Sequence, residues 1–350
     1  MRILFTAGGS QATVFSVAPL AMAARNAGHE ILLAAEEPLL DAAAAIAIPA
    51  VPAPEPRMIS ARLDALLSLA EDWPPDLVIG GTMSHLVGVL AARLKIPYVR
   101  QAWDIGPMPP EFARRIDERI RPELDRLGLA ELPGPALSID VCPPSLRPAG
   151  APDAQPMRWI PRNRQRRLEP WMYVRPKGRP RVLITSGTRT RLFSGGSMRR
   201  LVDELAGTGA EVLVAATDKT AEELGEDLGD VRVGWIPLDM VAPTCDLTVH
   251  HGGGATAMTV LNAGVPQLII PENGYAKAIA RAVSGSGAAL TVPPEREDSD
   301  EDLVEVVAAG CREILSTPRY AERARAIAEE IATLPTPAEI VRTLETLAAP

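Results

Sequence analysis

Asp246–Pro271 reads DLTVHHGGGATAMTVLNAGVPQLIIP, and the order of its parts sets the fold class. An apolar run, Leu247–Val249, ends in the pair His250-His251, and the glycines Gly252–Gly254 follow. Ala255–Asn262 has helical character and is closed by Gly264. A second apolar run, Val265–Ile270, completes a strand–loop–helix–strand unit of the kind that builds parallel sheets. Glycines between a strand and a helix let the backbone approach a ligand. They also expose the N–H groups of the first helical turn, where the helix dipole favours a phosphate. A histidine beside such a loop adds a donor or, when protonated, a positive charge. The same letters also describe a glycine-rich turn with a packed histidine, and the unit alone does not choose between them.

The alternation extends in both directions. Arg2–Ala7 reads as a strand, followed by the loop Gly8-Gly9-Ser10-Gln11, a helix over Thr13–Ala27 ended by Gly28, and a strand at Ile31–Ala35. No GxGxxG is present, and no acid is clearly placed after the second strand, which argues against a nicotinamide cofactor. Pro49–Pro56 cannot continue a helix or a central strand. Helices are predicted over Arg62–Glu71, Met83–Leu94 and Glu111–Leu127, with strands at Leu77–Gly80, Ile96–Arg100 and Leu137–Val141. Prolines dominate from Cys142 to Pro180, a tract that reads as a linker over the surface, its basic run Arg162–Arg167 a solvated face.

The pattern then restarts, with strands at Arg181–Thr185, Glu211–Ala215 and Val231–Trp235 between helices at Arg199–Ala206 and Ala221–Leu228. After the opening unit come helices at Ala276–Val283, Asp302–Leu315, Tyr320–Thr333 and Ala338–Leu347. The expectation is two doubly wound α/β domains, 1–160 and 181–335, joined by a linker at 161–180. A last helix, 336–350, is free to return to the N-terminal domain. Ligands of such sheets bind beyond the carboxyl ends of the strands, so the loops after Ala7, Gly80, Arg100, Thr185, Trp235 and His250 are the candidate sites.

Composition narrows the partners. The net charge is −8 with no basic, aromatic-studded tract, which argues against nucleic acid. Cys142, Cys245 and Cys311 are scattered and odd in number, against a disulfide framework or zinc site and for a reducing compartment. Neither a leader peptide nor a membrane-length apolar run is apparent, so a cytoplasmic protein with no membrane partner is expected.

Several loops offer chemistry. Ser186-Gly187-Thr188 presents two hydroxyls and a flexible amide to a phosphate, or forms a plain turn. Trp235 could stack a base or fill a core, and Thr256 could bond phosphate or its own helix. Asp104 follows a strand end beside Trp103. A partly desolvated carboxylate with a raised pKa can take a proton, while the ordinary role of an Asp there would be to cap a turn. His85, after Gly80-Gly81-Thr82, fits a helix start better than a cleft, and His29 looks structural.

The string His250-His251-Gly252-Gly253 through Thr256, with Asn262-Ala263-Gly264-Val265-Pro266 and Pro271, resembles the signature of nucleotide-sugar glycosyltransferases of the GT-B fold. The resemblance implies two Rossmann-like domains facing a cleft, and an inverting, metal-independent transfer with no cofactor. It implies that His251 and the amides of Gly253, Gly254, Ala255 and Thr256 hold the donor diphosphate, helped by Ser186, Gly187, Thr188 and, across the cleft, Ser10. Trp235, Ile236 and Pro237 would lie beside the base.

Two departures matter. Many relatives carry a catalytic histidine where Ala12-Thr13-Val14-Phe15-Ser16 stands, and the Thr13 hydroxyl cannot serve as a base at neutral pH. Relatives that use fully hydroxylated sugars carry an acidic residue and a glutamine where Tyr275-Ala276 stand. This favours a deoxysugar, with Glu272 or Asn273 left to bond a remaining hydroxyl.

More narrowly, GTMS (Gly81–Ser84), RQAWD (Arg100–Asp104), DVCPPSLRP (Asp140–Pro148), LEPWMY (Leu168–Tyr173) and PLDMVAPTCDL (Pro237–Leu247) look like the angucycline olivosyltransferases of the urdamycin and landomycin type. That resemblance implies a dTDP-dideoxysugar donor such as dTDP-D-olivose, an aromatic polyketide acceptor, a C- or O-glycosidic product, and Asp104 as the catalytic carboxylate. Thr13, Thr82, Met83, His85 and Trp103 are candidates for the sugar and acceptor side. The chain reads as shorter than these relatives after Pro56 and around Arg191–Ser197. A homodimer is compatible with this reading. The alternatives are a non-catalytic nucleotide-binding partner of another transferase and a sugar-nucleotide epimerase or hydrolase.

Overall fold

The structure is a computed structural model, described over residues 1–82, 84, 86–106, 110–187, 195–217, 221–222, 231–292 and 300–348. The chain divides into two compact units. The first comprises Met1–Cys142, Pro148–Gln165 and Thr333–Pro350. The second comprises Pro143–Arg147 and Arg166–Ala332.

In the first unit the elements run β1 (Arg2–Thr6), α1 (Gln11–Asn26), β2 (Glu30–Ala35), α2 (Leu40–Ala44), β3 (Ala50–Pro52), α3 (Ile59–Asp72) and β4 (Leu77–Gly81). There follow α4 (Leu86–Leu94), β5 (Tyr98–Gln101), α5 (Pro110–Leu127), β6 (Leu137–Asp140) and β7 (Gln155–Pro156). The sheet is ordered β3-β2-β1-β4-β5-β6-β7, with every described pairing parallel. Its central strands are continuous apolar runs because helices cover both faces. Leu4 and Val78 of the sheet pack with Leu63, Leu66, Leu90 and Leu124 of α3, α4 and α5. Pro52 and Pro156 sit in the two end strands, where a missing N–H breaks no ladder.

The second unit runs α6 (Pro170–Tyr173), β8 (Arg181–Thr185), α7 (Gly195–Gly207), β9 (Glu211–Ala215), β10 (Arg232–Gly234) and α8 (Leu238–Val241). It continues through β11 (Leu247–His250), α9 (Gly254–Asn262), β12 (Gln267–Ile269), α10 (Gly274–Gly285), β13 (Ala289–Thr291), α11 (Asp300–Ser316) and α12 (Pro318–Thr333). Its order, β10-β9-β8-β11-β12-β13, is again parallel and follows the sequence of the first sheet. In each sheet the direction of winding reverses once, between β1 and β4 and between β8 and β11. In open sheets of this type ligands bind beyond the strand ends at such a reversal. The last helix, α13 (Pro337–Leu347), begins in a reciprocal Thr336–Glu339 cap and packs on α1.

The structure differs from the sequence expectations in three places. The helix predicted from Met83 is seen from Leu86, with Met83 and His85 outside the described residues. The strand predicted from Ile96 starts at Tyr98, because Lys95 takes φ +56° and Pro97 restricts its neighbour. The proline-rich tract is not confined to the surface. Met157, Trp159 and Met172 are buried, β7 extends the first sheet, and α6 belongs to the second unit. Its prolines shape the path, while the apolar residues between them decide the burial. Most of the helix expected at Ala221–Leu228 lies outside the described residues. None of the described helices is long and apolar enough to cross a membrane.

Candidate active site

The winding reversal of the second sheet places the Ser186-Gly187 turn beside the His250–Gly254 loop, because His250 pairs in register with Thr185. The two histidines diverge there. His250 is the last residue of β11 and is fully buried under α9. Its Nε2 donates to Gln267 Oε1 at 2.7 Å, and its Nδ1 accepts the Gly252 N–H at 3.1 Å. Burial, reinforced by neighbouring His251 and opposed by the Gln267 bond, pushes its pKa down to about 3, so His250 stays neutral.

His251 leaves the sheet at right angles to its neighbour, with ring centroids 6.4 Å apart. Its imidazole lies between two glycines. A Cβ at Gly187 would come within 2.7 Å of Cε1, and one at Gly253 within 2.5 Å of Nε2. Gly187 also has φ +70°, which L side chains rarely adopt. Nδ1 of His251 is buried and reached by no hydrogen bond of ordinary geometry, although the Thr185 backbone is close enough to favour the protonated ring. Burial is the larger effect and lowers the pKa. An anion at the loop would reverse that shift by pairing with the imidazolium.

Gly253 stands at the N-cap of α9 without a capping side chain, so the first-turn amides at Gly254, Ala255 and Thr256 face outward with the helix dipole behind them. Gly252, at φ +83°, abuts Ala276, whose Cβ would lie 2.9 Å from an added one. Ala276 is buried and Tyr275 half-buried. Asn273 caps α10, its Oδ1 accepting from Ala276 N–H at 3.0 Å, and Glu272 is exposed. Trp235 is half-buried with its carbonyl held by Arg166 at 3.2 Å, while Ile236 and Pro237 are buried. Ser186 is buried, and Thr188 lies outside the described residues.

The first sheet carries the remaining candidates beyond the carboxyl ends of β1, β4 and β5. Thr13 is buried, and its hydroxyl meets Gly8 N at 3.2 Å, Gly8 O at 3.0 Å and Ser10 O at 2.8 Å, bracing the loop from within. Ser10 is the N-cap of α1 but makes no capping bond with its side chain. Glu36, which sequence reasoning passed over, accepts the Gly9 N–H at 2.8 Å. Trp103 lies against Gly81 so closely that a Cβ there would overlap the indole nitrogen, which has no hydrogen-bond partner among the described residues. Asp104 is half-buried, and its Oδ1 accepts the Gly106 N–H at 2.6 Å in a local turn. Thr82 is half-buried in the loop after β4.

Residues 199–347 match the C-terminal domain, and 55–187 the N-terminal domain, of the erythromycin biosynthesis protein CIII-like family. The chain belongs to that family. It is a glycosyltransferase of the GT-B class. It is 31% identical to the L-demethylnoviosyl transferase of Streptomyces niveus over 98% of this chain and 97% of that one. It is 34% identical to the elloramycin glycosyltransferase of Streptomyces olivaceus over 79% of this chain and 70% of that one. Among solved structures it resembles the Streptomyces sp. SF2575 glycosyltransferase SsfS6 complexed with thymidine diphosphate, with TM-score 0.84, 34% identity and 99% of both chains covered. It also resembles the spinosyn rhamnosyltransferase SpnG complexed with thymidine diphosphate, with TM-score 0.88, 27% identity, and 99% of this chain and 100% of that one covered. The family is one of antibiotic biosynthesis, as the sequence motifs implied.

Proposed function

We propose that this enzyme moves a 2,6-dideoxyhexose of the D-olivose type from its dTDP conjugate to an aromatic polyketide of the angucycline type, inverting the anomeric carbon. The observation that carries the reading is the glycine-walled imidazole of His251 at the start of α9, where a pyrophosphate would meet a proton donor and first-turn amides that no side chain caps. Thymidine diphosphate in two similar structures supports the choice of nucleotide. Ser186, Gly187, Thr188, Gly253, Gly254, Ala255, Thr256 and Ser10 complete the proposed diphosphate set, with Trp235, Ile236 and Pro237 beside the base.

The sugar assignment rests on position 276. Ala276 is buried against Gly252 and Tyr275 stands before it, so the place of the usual hydroxyl-gripping pair offers no carboxylate or carboxamide. A sugar lacking those hydroxyls avoids leaving polar groups unpaired. Glu272 and Asn273 remain for its other hydroxyls.

In this reading the first unit takes the acceptor, with Thr13, Thr82, Met83, His85 and Trp103 on that side and Asp104 as base. The acceptor oxygen or ring carbon attacks C1 of the sugar and its proton passes to the Asp104 carboxylate. The bond from C1 to the pyrophosphate breaks, and the released charge is met by His251. Thr13 does not act as base, since its hydroxyl is committed to the Gly8–Ser10 backbone. The three cysteines, all buried and none in a disulfide among the described residues, suit the cytoplasm.

The deciding experiment is one incubation with a dTDP-dideoxyhexose and an angucyclinone, with the product read by mass and by proton coupling at the anomeric centre. A glycoside with inverted configuration is expected. Free sugar or an epimer formed without acceptor, or activity only after a second transferase is added, would overturn the assignment.

A further inference from the structure

Two polar side chains lie inside the second sheet where donor binding does not itself require them. His250 and Gln267 are each 0% exposed. Thr248 pairs with Gln267 in register, so His250 and Gln267 stand diagonally on the same face. Three hydrogen bonds then run in series. The Ala257 carbonyl in α9 accepts from Gln267 Nε2 at 3.2 Å, Gln267 Oε1 accepts from His250 Nε2 at 2.7 Å, and His250 Nδ1 accepts from Gly252 N at 3.1 Å.

The series joins the two ends of the anion-binding segment. One end holds Gly252, which sits at φ +83° and leads into the loop. The other holds Ala257, the residue just after Thr256. Between them lie the amides of Gly253–Thr256, and His251 is the direct neighbour of the held glycine. A buried polar pair adds little net stability, because losing water offsets the bonds it makes. What it supplies is direction, since each bond fixes both the distance and the orientation of the backbone group it meets. A protonated imidazole could not accept from Gly252, so burial that keeps His250 neutral preserves the series.

We propose that His250 and Gln267 are positioning residues for donor binding, a buried relay that holds the Gly253–Thr256 amides and His251 against a nucleoside diphosphate without touching it. The inference rests on the donor reading given above.

Titration calorimetry with thymidine diphosphate, together with KM for donor and acceptor, tests it. Gln267→Met removes both of its bonds and should raise the thymidine diphosphate Kd and the donor KM about tenfold, with acceptor KM within about twofold. His250→Asn keeps an oxygen able to accept from Gly252 and should lose no more than about threefold. Wild-type donor affinity in Gln267→Met overturns the inference. An equal loss for both substrates does so too, because it marks a general structural role. Should Gln267→Met fail to fold, Gln267→Glu carries the same test. It keeps an acceptor for His250 and loses the donor to Ala257, so donor KM should rise and acceptor KM should not, and wild-type donor KM overturns the proposal. Wild-type enzyme that binds no thymidine diphosphate would instead sink the donor reading.

Discussion

Two glycine loops leave the winding reversals of the two sheets, and they end in opposite states. After β1, the amide of Gly9 is taken by the Glu36 carboxylate at 2.8 Å, and Gly8 by the Thr13 hydroxyl at 3.2 Å. A side chain at Gly8 would meet Glu36 at 2.9 Å and run into the ring of Pro56. Arg62, 4% exposed, closes the loop from below through the carbonyls of Ala7 and Pro54. The protein has supplied its own anion there. After β11, the loop is held from behind by a neutral imidazole, α9 has no capping side chain, and His251 brings a group that can become positive. Both loops read alike as glycine between strand and helix. What separates them is that side chains of the chain itself take the amides of the first loop, whereas no side chain caps α9 after the second.

The contrast can be broken by removing the imidazole. His251→Ala should lower turnover about a thousandfold, the upper range for losing one preorganised donor, with thermal unfolding unchanged. Unaltered turnover would move the diphosphate elsewhere.

Acid separates the two histidine roles next. The pKa of His250 is about 3 in the fold, against an ordinary value near 6.5. The unfolded chain therefore binds a proton that the folded one refuses. The stability from this residue is complete above about pH 6.5 and is lost as pH falls toward 3, by on the order of a few kcal/mol. Urea midpoints across that range should fall less steeply in His250→Asn than in the wild type. Equal slopes would mean that His250 is not held neutral.

Asp104→Asn acts on the other unit and should cost about a hundredfold in turnover, as for a lost base, while thymidine diphosphate Kd stays unchanged. A matching loss of nucleotide affinity would place Asp104 outside that role. Gly253→Ala sharpens the picture of the imidazole seat. The added methyl meets Nε2, and turnover should fall about tenfold with a small drop in melting temperature. Activity like the wild type would show that the ring has room to move. Smallest of all, Ser10→Ala in the self-satisfied loop should change donor KM by no more than about threefold. A larger effect would make the first loop an equal partner.

Much of the fold was legible because parallel sheets covered on both faces demand apolar strands between amphipathic helices, as at Arg181–Thr185 and Glu211–Ala215. The proline tract misled because proline reports backbone path and says nothing of whether Met157 or Trp159 is buried. Within the site, the glycines and His251 stood out as residue types. A lone glutamine in the apolar run Val265–Ile270 was the only mark of the buried relay, and nothing marked Glu36 or Arg62 as partners of the Gly8–Gly9 loop.

By itself, the order of residue types determined the doubly wound class and the family, since these depend on local periodicity and on adjacent letters. Tertiary structure alone decided which of two consecutive histidines faces the core, and which glycine loop is already filled. Those outcomes depend on Gln267 and Glu36, groups distant in sequence that only the pairing of parallel strands and the packing of helices on them bring within hydrogen-bond reach.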